Sequence, residues 1–104
     1  MIVAAAKQGK RVVRLKCGDP GVCALGAEKA DALNAAGIAY EVVPWVTAAI
    51  AASAAMGGFL TERGTCDALM LATGQSADAG KRPGWITCLR PGMRVAVFFG
   101  FRGV

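Results

Sequence analysis

Arg11-Val-Val-Arg-Leu-Lys-Cys-Gly-Asp-Pro20 decides how the rest of the chain is read. A short apolar run, Val12 to Leu15, is flanked and interrupted by base and stops at Gly18-Asp19-Pro20. An apolar run ending in such a turn reads as a strand entering a loop. Glu41-Val-Val-Pro-Trp-Val-Thr-Ala48 repeats the pattern as strand, proline break, hydroxyl residue and helix. In open α/β sheets ligands sit beyond the carboxyl ends of the strands. The two strand ends are therefore expected to form two walls of one pocket.

Working outward, Met1 to Gln8 has helical composition, with Gly9 placed to end it. Arg11 to Lys16 is the first expected strand, Cys17 to Leu25 a loop, and Gly26 or Ala27 to Ala36 a helix closed by Gly37. Ile38 to Val43 is the second expected strand. The resulting strand–helix–strand unit of 33 residues fits a right-handed parallel crossover. An Ala-rich helix follows from about Thr47 to Met56, stopped by Gly57-Gly58. Asp67 to Thr73 reads as an interior strand, because its apolar run does not alternate. Trp85 to Leu89 reads equally as a short strand or a helical turn. Met93 to Phe99 is the fourth strand, leaving at Gly100.

Composition excludes several classes. With 104 residues, 55% of them hydrophobic, the chain is built to fold rather than to stay disordered. Twelve Lys+Arg against seven Asp+Glu give +5, and Lys7, Lys10, Arg11, Arg14 and Lys16 crowd into ten positions. That cluster suits a solvated surface or a polyanionic ligand. No zinc-finger or RNP-type pattern accompanies it, so nucleic acid is not expected as a partner. Four cysteines without a CxxC pair, and no histidine, argue against structural zinc. With no signal peptide, reduced and mostly buried thiols in a cytoplasmic chain are expected. Val42 to Thr61 carries no charge over 20 residues, but Pro44, Gly57-Gly58 and the alanines favour a packed helix over a membrane span.

Several residues carry two readings. Gly18 allows either a tight turn or a ligand lying against bare backbone. Asp19 can cap its own turn before Pro20 or accept hydrogen bonds from a ligand. Thr47 can cap the following helix, the more ordinary role, or bind a ligand. Thr73-Gly74-Gln75 and Phe99-Gly100 end the last two strands with the same ambiguity. There is no Gly-rich dinucleotide fingerprint, no phosphate loop and, without histidine, no Ser-His-Asp set. A cofactor carrying its own reactive group would ask least of these side chains.

Taken together, Gly9-Lys-Arg-Val-Val-Arg-Leu-Lys-Cys-Gly-Asp-Pro20, Gly26-Ala-Glu28, Ala35 to Ala48, Leu60-Thr-Glu-Arg-Gly64, Ala72-Thr-Gly74 and Val97-Phe-Phe-Gly100 resemble the tetrapyrrole methylase family. The likeness is greatest to its uroporphyrinogen-III C-methyltransferase branch. It implies part of a two-domain α/β fold, truncated at both ends. Residues 1–58 would belong to the first domain, 59–65 to the inter-domain linker and 66–104 to the start of the second.

The resemblance further implies methyl transfer from S-adenosyl-L-methionine to ring carbons of uroporphyrinogen III, giving precorrin-2 for sirohaem and cobalamin. It implies an anionic tetrapyrrole substrate, which would give the basic cluster a purpose, and a homodimer. Carried over by position, the cofactor contacts fall on Cys17, Gly18, Asp19, Val22, Thr47, Ala48 and Phe99; no catalytic residue is carried over. Cys17 and Trp45 stand where the family pattern has glycine, and Glu62 and Gln75 where it has histidine. A different precorrin methyltransferase, or a remnant that binds an adenosyl ligand or tetrapyrrole without turnover, are the alternatives.

Overall fold

The computed structural model describes residues 1–75 and 80–100. The chain divides into two compact units, residues 1–48 and 49–104. The first carries α1 (Ile2–Lys7) and α2 (Gly26–Ala35); α3 (Ala48–Ala55) starts at its last residue. The second carries β1 (Ala68–Thr73), a 3-10 helix (Gly84–Cys88) and β2 (Met93–Phe98).

Among the described residues, α1, α2 and α3 stop in the same way. After α2, Gly37 N donates to Asn34 O at 3.0 Å and Ile38 N to Leu33 O at 3.0 Å. This pair of bonds satisfies the last helical carbonyls and needs a left-handed residue after the cap. Gly37, at φ +65°, supplies it. Equivalent bonds run from Gly9 and Lys10 to Ala6 and Ala5 after α1, and from Gly57 and Gly58 to Ala54 and Ser53 after α3. Ser53, buried, adds a hydrogen bond from its Oγ to Gly58 O at 3.0 Å.

In the second unit β1 and β2 pair in parallel, from Ala68 opposite Met93 to Thr73 opposite Phe98. Asp67 N reaches Gly92 O at 3.0 Å and Gly74 N reaches Phe98 O at 2.8 Å, so the pairing extends past both strand ends. Residues 62–66 close a small loop through an isolated antiparallel bridge between Glu62 and Cys66. Arg94 fastens that loop to β2, donating to Phe59 O and to the Glu62 carboxylate.

The structure corrects four expectations. Arg11–Lys16 and Ile38–Val43 form no strand, and no backbone hydrogen bond pairs the two segments among the described residues. Their valines have the composition of strands, but a strand exists only when a neighbour accepts its ladder bonds. Val13 (75% exposed), Leu15 (88%) and Val43 (65%) are correspondingly open. β1 is not interior to a covered sheet: among the described residues the sheet has two strands, and only Ala72 of β1 is buried. Trp85–Leu89 resolves as a helical turn, within the 3-10 helix. The four cysteines are free, yet only Cys66 is buried, while Cys17 and Cys88 are exposed. Among the described residues no helix is long and apolar enough to cross a membrane; the charge-free stretch folds in part as the eight-residue α3.

Gly26 fixes where α2 begins. A Cβ there would lie 2.6 Å from the Pro20 carbonyl oxygen. Helix preference alone would make Gly26→Ala stabilising by about 0.5–1 kcal/mol. The backbone clash reverses the sign, and a loss of about 1–3 kcal/mol is expected, read as a lower midpoint in thermal unfolding followed by circular dichroism.

Candidate functional site

The loop after residue 16 is tied to the segment before α3 by one carboxylate. Asp19 Oδ1 accepts from Gly21 N at 2.7 Å and Oδ2 accepts from Trp45 N at 2.8 Å. The first bond is the local turn expected of an aspartate two residues ahead of the amide it binds. The second spans 26 residues of sequence and brings the two loops together. Hydrogen bonds to the charged form favour it. The Trp45 amide, followed by the Gly21 amide, therefore holds the Asp19 carboxyl below its ordinary 3.8, against a smaller opposing effect of desolvation.

This bridge sets Gly18 against the start of α3. Gly18 has φ +86°, a backbone conformation open to glycine and strained for other residues. A Cβ on it would point to within 3.5 Å of Ala48 N and 3.7 Å of Val46 O. Ala48 N is the first amide of α3 and makes no hydrogen bond among the described residues. Thr47, 6% exposed, does not cap the helix: its hydroxyl has no hydrogen-bond partner among the described residues. The capping role favoured by its position is thus not taken up, and a hydroxyl and an amide are left open beside the bare Gly18 backbone. Val22, half-buried, closes the turn by donating from its amide to Asp19 O at 3.4 Å. Cys17 is exposed next to Gly18.

The rest of the loop is held in unusual backbone conformations. Cys23 (φ +49°) and Leu25 (φ +53°) are non-glycine residues in the left-handed region, where each costs of order 1–3 kcal/mol. Such conformations persist where the surroundings over-determine them. Here the Asp19 bonds on one side and the close approach of Gly26 to Pro20 on the other supply that constraint.

Phe99 belongs to the second unit and has its own surroundings. It follows β2 with φ +57° and is 53% exposed. Its carbonyl oxygen lies 3.0 Å from where a Gly74 Cβ would stand, so β1 and β2 leave their carboxyl ends side by side at Thr73-Gly74 and Phe99-Gly100. Trp85 Nε1 donates to Thr73 O at 2.9 Å and Gln75 N to Thr73 Oγ1 at 3.2 Å. The seven residues singled out in the sequence thus fall into two groups: Cys17, Gly18, Asp19, Val22, Thr47 and Ala48 in the first unit, Phe99 in the second. Sequence reasoning missed the Trp45 amide and Trp85. Neither role has a local signal, because each is a bond to a group distant in sequence.

Lys7, Lys10, Arg11, Arg14 and Lys16 are all exposed, and none forms an ion pair among the described residues. Arg14 and Lys29 line one open depression with Met1, Ile2 and Val13. Among the described residues no group of three or more metal-ligating side chains is assembled.

A family model for tetrapyrrole (corrin/porphyrin) methylases matches residues 1–94. The chain belongs to the tetrapyrrole methylase family. Among curated relatives, the siroheme synthase of Actinobacillus pleuropneumoniae serotype 7 (strain AP76) is 42% identical over 100 residues, 96% of this chain and 21% of that protein. That of Psychrobacter sp. (strain PRwf-1) is 41% identical over 104 residues, 100% of this chain and 21% of that protein. The crystal structure of uroporphyrin-III-C-methyltransferase from Thermus thermophilus superposes with a TM-score of 0.65 at 49% identity, covering 70% of this chain and 33% of that one. The chain thus spans about a fifth of the length of these curated relatives. The family and the solved neighbour establish the α/β class expected from the sequence.

The direction of the Asp19 shift fixes a pH dependence. A carboxyl with a depressed folded-state pKa contributes in full above its unfolded value and loses that contribution as pH falls through the folded value. The Gly21 and Trp45 amide resonances are expected to titrate together in proton–nitrogen correlation spectra, with a midpoint below 3.8. In Asp19→Asn that transition disappears; a common midpoint at or above 3.8 in the unsubstituted chain would contradict the bridge.

Proposed function

We propose that this chain supplies the central part of an S-adenosyl-L-methionine-dependent C-methyltransferase acting on uroporphyrinogen III towards precorrin-2, and that the Asp19-bridged loops hold the adenosyl cofactor. The observation that carries this reading is the setting of Gly18 against Ala48, with the Thr47 hydroxyl and the Ala48 amide both without hydrogen-bond partners among the described residues. The residues fit an adenosyl group in kind. Two small residues leave room for close approach, the Gly18 backbone has no side chain over it, and a free donor and a free hydroxyl stand beside it. When bound, the cofactor supplies an electrophilic methyl group.

Each residue then has a definite part. Asp19 positions both loops through Gly21 and Trp45. Gly18 and Ala48 keep the approach open, while Thr47 and the first α3 amide offer polar contacts. Asp19 is a poor proton acceptor, because the same two amides that bind it lower its basicity. Its role is to hold geometry rather than to take the proton lost from the substrate. The exposed cations from Lys7 to Lys16 suit a polycarboxylate tetrapyrrole by charge. The functional assembly would be a homodimer.

A second reading, ligand binding without turnover, is favoured by one observation: the exposed thiol of Cys17 adjoins the Gly18 backbone. Calorimetric titration of the cooperatively folded chain with S-adenosylhomocysteine, followed by transfer assays with labelled cofactor, separates the two. Saturable one-site heat with methyl transfer is expected for the enzyme, and heat without transfer for the binding module. In Gly18→Val a β-branched side chain is forced to positive φ, and binding is expected to weaken by about tenfold or more. Unchanged affinity in this variant would remove the Gly18 loop from the site.

A further inference from the structure

Trp45 is the aromatic residue that the bridge holds in place without burying. Its amide is bound by Asp19 at 2.8 Å, yet the residue is 74% exposed. Val43 (65%) and Val46 (49%) beside it are open as well, whereas Thr47 two positions on falls to 6%. The segment therefore passes from an exposed tryptophan to the buried residue Thr47 of the candidate site within three residues. Single exposed apolar residues are common on protein surfaces and need no explanation. Trp45 differs in that its backbone is fixed by the same carboxylate that sets Gly18 against Ala48. An anchored backbone reduces the ordering cost that a stacking contact must overcome.

We propose that Trp45 is a stacking residue that sets affinity for the flat heteroaromatic base of an adenosyl ligand. The inference rests on the cofactor reading of the Asp19-bridged loops and adds to it the residue that recognises the base. An indole offers a large apolar face, and offset or edge-to-face packing on another ring contributes about 0.5–1.5 kcal/mol beyond burial. Since 1.4 kcal/mol is a tenfold change, removing the ring should weaken binding by roughly twofold to tenfold. The contact depends on an aromatic face and not on the indole N–H, so phenylalanine should preserve most of it.

The test uses the full chain labelled with 5-fluorotryptophan. Its two tryptophans, Trp45 and Trp85, give two fluorine resonances, and the one missing from Trp45→Phe is Trp45. On titration with S-adenosylhomocysteine or 5′-methylthioadenosine the Trp45 resonance is expected to shift with the binding isotherm, and with methionine, which lacks the base, it should stay still. In calorimetry Trp45→Phe should bind within about twofold of the unsubstituted chain and Trp45→Ala roughly twofold to tenfold more weakly. S-adenosylhomocysteine binding with an unmoved Trp45 resonance, or equal affinity in Trp45→Ala, would overturn the stacking role and leave the cofactor reading intact. No binding to the unsubstituted folded chain would overturn both. Should Trp45→Ala fail to fold, the fluorine titration of the unsubstituted chain decides the question alone.

Discussion

The Asp19 carboxylate is the constraint on which the first unit depends. One oxygen closes the turn on Gly21 and the other reaches the Trp45 amide. The two jobs need a side chain that accepts at two separate points and donates at none, which an ionised aspartate does and an asparagine does not. Without the second bond nothing else among the described backbone hydrogen bonds joins the loop at residues 17–25 to the segment at 39–46. The approach of Gly18 to Ala48, and with it the open Thr47 hydroxyl, follows from that join. Both Asp19 oxygens are thus engaged by backbone amides, and the carboxylate acts by joining two loops.

The second unit solves a different problem. A parallel pair of six-residue strands has little stability of its own, and its edges are open to water. The unit compensates at the ends. Gly92 and Gly74 extend the pairing, Trp85 bonds the last carbonyl of β1, and Arg94 ties the 59–62 segment to β2. The exposed Arg90–Asp67 pair at 3.1 Å adds little, as surface ion pairs do. The carboxyl ends of β1 and β2 emerge together at Thr73-Gly74 and Phe99-Gly100.

Much of the local structure was legible from residue types. Gly9, Gly37 and Gly57 end the three helices because each sits where a left-handed residue must follow the cap. The apolar runs at 68–73 and 93–98 do become strands. By contrast, the valine-rich segments at 11–16 and 38–43 have the same composition and remain unpaired. Strand propensity measures fit to a neighbour, so it cannot say whether a neighbour is present. Thr47 shows the same limit on a smaller scale: its position suggests a cap, yet its hydroxyl is left without a partner among the described residues.

By itself, then, the sequence determined the helix limits, the apolar runs with strand composition, the turn at Gly18-Asp19-Pro20 and membership of the tetrapyrrole methylase family. These rest on hydrogen bonds between residues a few positions apart and on glycine's backbone freedom, both of which are written locally. Only the tertiary structure decided that Asp19 would bind Trp45 across 26 positions, that Trp45 would stand exposed while Thr47 is buried, and which apolar runs would pair. Those outcomes depend on which distant groups meet. No single residue's chemistry specifies its partner, and burial is a property of the whole packing.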